Sequence, residues 1–244
     1  MTFPRRIALL VVAAGVAGSL PAAAQDPPPP PPKEAKPVEG IDVSHYQGAI
    51  DWSRVEGAGI EFAYIKATQG TTWVDPRFKE NWKAVAGTSI RRGAYHFLEP
   101  DVDGTRQAKH FLATVELEAG DLLPVVDVET PGPDLATNLE RFLAEVRRQK
   151  GYEAMIYVSP AFWNDHLADT RETPWANPLW VAEYGVSTPK ATRGIGPWII
   201  WQYTQDGRVD GIEGPVDRDR ARTVATHDSG KERKAGPEAD PSGS

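Results

Sequence analysis

Apolar residues fall in short blocks through the middle of the chain, and block after block ends in a polar or aromatic side chain. The sharpest block is Leu122-Leu123-Pro124-Val125-Val126-Asp127-Val128-Glu129-Thr130, an apolar run closed by two acids one residue apart. Read as a buried strand it alternates its side chains, so Asp127 and Glu129 point the same way. Similar blocks predict strands over residues 40–44, 62–67, 93–97, 122–127 and 154–158. Helical spacing between and after them predicts helices over residues 50–56, 76–86, 105–115, 135–149 and 162–167. Leu135, Leu139, Phe142, Leu143 and Val146 make the clearest stripe. After that the rhythm changes. Residues 179–183, 198–202 and 215–217 read as three strands without long helices between them. The early alternation predicts a parallel sheet, and eight strands would close it into a barrel with its site at the carboxyl ends.

Asp42, Lys66, His96, Asp127 with Glu129, Tyr157, Glu183, Gln202 and Asp217 all fall at predicted strand ends. In a barrel these ends share one mouth, and the first and eighth strands are neighbours. Asp42 and Asp217 would then flank the Asp127–Glu129 pair and make a mouth of four carboxylates. Two chemistries use such a mouth. A divalent metal needs oxygen ligands with some histidine, but no histidine pair stands at ligand spacing and there is no Asp-rich loop. A glycosidase needs one acid kept protonated beside carboxylates that stay ionised, and crowding raises the pKa of one member. Trp73, Tyr95, Tyr157, Trp180, Trp201 and Tyr203 lie near predicted strand ends or loops, where rings can stack on sugar faces. Each has a plainer alternative. Trp180 and Trp201 also suit a core, His96 suits a hydrogen-bonded barrel position, and Lys66 suits a structural ion pair.

The 244 residues suffice for one sizeable domain or two small ones. With no cysteine there is no disulfide, thiol nucleophile or thiolate metal site. A formal net charge of -7 argues against a nucleic acid partner. Arg5 and Arg6 precede an apolar run over residues 7–20 and then Pro21-Ala22-Ala23-Ala24, the pattern of a secretory signal. Residues 1–24 are therefore expected to be removed by cleavage after Ala24, leaving no stable membrane insertion and a secreted or periplasmic protein. Cleavage takes the basic residues from 27 to 25 against 34 acidic ones. Residues 25–37 carry six consecutive prolines and read as an extended spacer. Residues 38–226 are the expected folded domain and residues 227–244 a disordered tail.

Several of these blocks together resemble glycoside hydrolase family 25, the Chalaropsis-type lysozymes. The resemblance rests on Gly40-Ile41-Asp42-Val43-Ser44-His45-Tyr46-Gln47-Gly48 with Ile50-Asp51-Trp52, and on Phe62-Ala63-Tyr64-Ile65-Lys66-Ala67-Thr68-Gln69-Gly70. It continues through Gly93-Ala94-Tyr95-His96-Phe97, Leu123-Pro124-Val125-Val126-Asp127-Val128-Glu129, Leu179-Trp180-Val181-Ala182-Glu183-Tyr184 and Trp201-Gln202-Tyr203-Thr204. These motifs stand in the family's order across residues 38–220.

The resemblance implies an α/β fold, a modified TIM-like barrel of (β/α)5β3 type. It implies hydrolysis of the β-1,4 bond between N-acetylmuramic acid and N-acetylglucosamine in peptidoglycan, with no metal or other cofactor. The family's Asp-x-Glu motif falls on Asp127 and Glu129, which makes Glu129 the general acid. Asp42 matches the first-strand aspartate. Asp217 matches the late one, with Asp210 and Asp219 as nearby competitors. Gln69 stands where many relatives have glutamate. Tyr64, Lys66, His96, Tyr157, Trp180, Glu183 and Gln202 are the expected substrate contacts. Asp127 either orients the substrate's acetamido group or works through water. A monomer acting on glycan strands is expected. The competing readings are a non-catalytic peptidoglycan-binding module and a chitinase-like glycosidase.

Overall fold

The computed structural model describes residues 36–171 and 175–226. The expected signal, almost all of the proline-rich spacer and the expected tail lie outside the described residues. The first strand, β1 (Val38–Val43), leads through a short 3-10 turn at His45–Gln47 into α1 (Trp52–Gly57), which Asp51 caps by accepting from Arg54 N. Then come β2 (Phe62–Gln69), β3 (Trp73–Val74), α2 (Phe78–Val85), β4 (Arg91–Phe97) and α3 (Gly104–Thr114). They are followed by β5 (Val125–Asp127), α4 (Leu135–Lys150), β6 (Met155–Val158) and α5 (Pro160–His166). Three strands, β7 (Leu179–Ala182), β8 (Trp198–Gly207) and β9 (Val216–Ala221), close the order.

Pairing of β1 with β2 on one side and β9 on the other closes eight strands into a barrel. All neighbouring barrel strands run parallel except β9, which is antiparallel to both β8 and β1. The short β3 folds back on β2 outside the eight. This is the expected (β/α)5β3 barrel, with one change. Asp217 was expected at the end of the last strand, but it is the second residue of β9. Because β9 runs the other way, its beginning lies beside the carboxyl end of β1 and Asp217 still reaches the mouth.

Strand alternation sorts side chains into two apolar layers. Val43, Ile65, Val126, Val128, Ile156, Val158 and Val181 face outward against Phe111, Leu139, Phe142 and Val146 of the helices. Phe62, Tyr64, Val125, Met155, Tyr157, Trp180 and Ile200 fill the barrel. Gly93 makes room for this filling, since a Cβ there would lie 2.3 Å from the Tyr64 ring. The inner layer stops short of the carboxyl end, where the polar residues begin.

Local boundaries follow backbone chemistry. The strand expected over residues 122–127 is shortened to β5 because Pro124 has no N–H for the ladder. Its Leu122 bridges Thr226 instead. The last helix starts two residues earlier than expected, since Ser159 Oγ accepts from Phe162 N and Pro160 suits the first helical position. β3 and the 3-10 turn carry too few residues to show a period.

Candidate active site

The ladder past β5 continues as Leu98 N donates to Asp127 O at 2.9 Å and Val128 N donates to Tyr157 O at 2.9 Å. These bonds keep the chain extended through Val128. Asp127 and Glu129 therefore both line the barrel mouth while Val128 packs outward. There they meet Asp42 from β1 and Asp217 from β9 around a cavity of about 450 Å³. Lys66, Gln69, Tyr95, Tyr157, Trp180, Tyr184 and Gln202 share its walls, with Tyr46 at the rim.

Burial dominates the electrostatics of the four acids. It pushes Asp127 well above the aspartate range, the neighbouring Glu129 pushes further, and Lys66 opposes them. Glu129 is raised by the cleft walls, against the pull of the Tyr157 hydroxyl and Lys66. Burial and the nearby Asp217 raise Asp42. Asp217 is pushed up to about 6, by burial first and Glu129 second. Among these acids, Asp127 Oδ1 is buried with no hydrogen-bond partner.

Gln202 organises one wall. Its Oε1 accepts from Tyr157 Oη at 2.9 Å and from the Tyr184 hydroxyl, while its Nε2 donates to Asp42 Oδ2 at 2.7 Å. Two phenol donors on the oxygen set the amide's orientation and turn its N–H toward Asp42. The Tyr157 hydroxyl also favours the ionised form of Glu129. A chain of hydrogen bonds thus runs from Tyr157 and Tyr184 through Gln202 to Asp42.

Of the expected substrate contacts, Lys66, Tyr157, Trp180 and Gln202 line the cavity. Lys66 donates to Gln69 Oε1 at 3.2 Å instead of pairing with an acid, and lies 4.7 Å from the centre of the Phe97 ring. Three expected contacts sit elsewhere. Tyr64 is buried in the barrel beneath the cavity, where it packs against Trp180 and donates to Leu123 O. His96 faces outward because it alternates with Tyr95. It is fully buried between Thr68 Oγ1 at 2.7 Å and Gln107 Oε1 at 3.1 Å, stacked on Phe142. Glu183 follows the inward Ala182 and also turns outward, accepting from Lys190 N. Trp201 is likewise buried outside the barrel, donating to Glu183 O.

The sequence reading did not pick out Tyr184 or Tyr46 as site residues. Both stand in loops, where no period marks a facing side. Their place within the motif blocks that carry the family resemblance was the available signal. Tyr46 is 82% exposed and stacks beside His45, whose Nδ1 lies 2.8 Å from Asp75 Oδ2. Among the described residues, no group of three or more His, Asp or Glu side chains is disposed to hold a metal ion.

A closed barrel whose mouth crowds carboxylates, raises one of them beside another and offers aromatic walls has the makings of a glycoside hydrolase. Comparison with known proteins narrows the class. Residues 41–212 match the Glycosyl hydrolases family 25, a span that includes Asp42, Asp127 and Glu129 and ends before Asp217. Lysozyme M1 of Streptomyces globisporus is 39% identical over 197 residues, covering 75% of this chain and 67% of that protein. The N,O-diacetylmuramidase of Chalaropsis sp is 29% identical over 202 residues, covering 74% and 96%. The crystal structure of the bacterial lysozyme from Streptomyces coelicolor superposes with a TM-score of 0.69 at 36% identity, covering 77% and 93%. The chain belongs to glycosyl hydrolase family 25.

Proposed function

We propose that this family 25 hydrolase is an exported muramidase that cuts the β-1,4 bond between N-acetylmuramic acid and N-acetylglucosamine, with Glu129 as general acid. The observation that carries this reading is the disposition of Asp127 and Glu129. Glu129 stands at the cleft with its pKa raised, which favours the protonated form that a leaving oxygen needs. Asp127 sits deeper and presents an oxygen with no protein donor. That oxygen accepts an N–H from the substrate's 2-acetamido group, or an O–H from the attacking water.

As the glycosidic bond breaks, its electrons stay on the leaving oxygen, which takes the Glu129 proton. Positive charge grows at the anomeric carbon, where the surrounding carboxylates stabilise it. If the acetamido oxygen bonds to the anomeric carbon, Asp127 holds the acetamido N–H of the five-membered ring so formed; water then adds at that carbon, the new C–O bond breaks and Glu129⁻ takes the water proton. If water attacks directly, Asp127 takes its proton. Proton NMR of the fresh product separates these routes: retention assigns Asp127 to the acetamido group, inversion to water.

Asp42 and Asp217 supply charge from the opposite wall, and Lys66, Tyr157, Trp180 and Gln202 shape the cleft. Export follows from the signal pattern of residues 1–24, with residues 25–37 as spacer before the domain and residues 227–244 as a tail. Mass analysis of products from purified peptidoglycan, run beside chitin oligomers, tests the substrate. New muramic acid reducing ends support the proposal. Cleavage of chitin alone would make it a chitinase-like enzyme, and binding without product a non-catalytic module. Amino-terminal sequencing of secreted protein should begin at Gln25.

A further inference from the structure

Tyr46, Trp73 and Val74 are large apolar side chains that stand exposed together on one side of the barrel mouth. Exposed apolar groups that cluster instead of scattering mark contact sites. These come from two segments, the 3-10 turn after β1 and the short β3 that folds back on β2. His45 joins them. Its ring centre lies 4.2 Å from that of Tyr46 and 5.6 Å from that of Trp73. The row of three rings opens from the cavity at both ends. Tyr46 lines the cavity, and so does Lys66, whose Nζ lies 5.4 Å from the Trp73 ring centre.

The row is fixed in advance. The buried Asp75 accepts through Oδ2 from His45 N at 3.0 Å and from His45 Nδ1 at 2.8 Å, and through Oδ1 from Arg77 N at 2.9 Å. Asp75 N donates to Ala67 O of β2 at 2.8 Å. Ser44 and Gln47 close a capping box on the turn, and Trp73 O accepts from His110 Nε2 at 2.9 Å. The Nδ1 proton is committed to Asp75, which leaves Nε2 as the acceptor of the neutral ring. A purely structural tie between the two segments would need His45 and Asp75 but not the exposed faces of Tyr46 and Trp73.

We propose that Tyr46, His45 and Trp73 form a glycan subsite beyond the two sugars that flank the cut bond, with Asp75 as its positioning residue. The C–H face of a further pyranose packs on the rings, and one of its hydroxyls donates to His45 Nε2. Rings already held in place bind with little ordering cost. The occupant is the continuing glycan strand, because the row opens from the cavity in which that strand is cut. The row presents rings and one acceptor, with no exposed carboxylate or ammonium of its own, which suits a neutral sugar better than a charged stem peptide. The proposal rests on the muramidase reading.

The test compares the muramic acid–glucosamine disaccharide, which spans only the cut bond, with strands of eight sugars, each with stem peptides removed and retained. Wild-type kcat/KM should rise with length. In Trp73→Ala the ratio of kcat/KM between the long and the short substrate should fall about 3- to 10-fold, and Trp73→Phe, which keeps a ring, should retain most of it. An unchanged ratio, an equal loss on both lengths, or a loss confined to peptide-bearing substrates would overturn the proposal. If Trp73→Ala does not fold, Tyr46→Ala decides by the same ratio. If the wild type releases no product from any substrate, the muramidase reading fails. Calorimetric titration with the peptide-free strand then decides the subsite: binding weakened about 3- to 10-fold in Trp73→Ala supports it, and equal or absent binding overturns it.

Discussion

Asp42 and Asp217, 175 positions apart in sequence, lie directly opposite each other in the antiparallel register of β1 and β9. The contact exists because the last barrel strand reverses direction, bringing its beginning to the mouth. Burial first, and Glu129 second, push the Asp217 pKa up from 3.8 to about 6. A folded-state pKa above the unfolded one means that the folded protein holds a proton the unfolded chain has released. That contribution to stability is present below pH 4 and is lost as pH rises through 6. Asp217→Asn removes the loss. Relative to wild type it should gain about 1 kcal/mol between pH 4 and pH 7.5, after allowance for partial solvent screening. Urea unfolding at the two pH values measures this, and an equal difference at both would contradict it.

Gln202 joins the two sides of the cleft. In Gln202→Leu, Asp42 loses its amide donor and the Tyr157 and Tyr184 hydroxyls lose their acceptor. Stability should fall by about 1–3 kcal/mol. Steady-state assays on peptidoglycan should show kcat down about 10- to 100-fold with KM nearly unchanged, because the network acts on the reacting charges.

His96 contributes to packing. His96→Ala removes its bonds to Thr68 and Gln107 and its stack on Phe142, and should cost about 2–4 kcal/mol with KM unaltered. Burial pushes the imidazole pKa down to about 3, so the folded state keeps it neutral where the unfolded chain would protonate it. Stability from this source is present above pH 6.5 and is lost as pH falls toward 3. Denaturation profiles of wild type and His96→Gln should diverge in that window.

Tyr46 offers the most exposed aromatic ring at the cleft. Tyr46→Ala should raise KM for peptidoglycan about 2- to 10-fold and leave kcat and stability alone. A fall in kcat with constant KM would remove Tyr46 from the binding rim.

The barrel was legible because period-2 blocks and helical stripes are local signals, and five strand–helix pairs followed by three strands stood in a familiar order. The acids were legible for the same reason: Asp127 and Glu129 face one way by alternation, whatever the tertiary structure. His96, Glu183 and Tyr64 were misplaced by a different cause. Standing at a strand end does not fix which face a side chain takes, and a register of one residue sends it to the mouth or the helix layer. Tyr64 faces inward but too deep, which depends on the missing side chain of Gly93. The Gln202 contact with Asp42 joins residues 160 apart in sequence, and no local pattern reports it.

The assignment of Glu129 is tested most directly by Glu129→Gln, with mass analysis of products from purified peptidoglycan and circular dichroism as the control for folding. The substitution keeps the shape and removes the transferable proton. A folded variant that releases almost no muropeptide is the predicted result. Robust muramidase activity in that variant would contradict the central assignment.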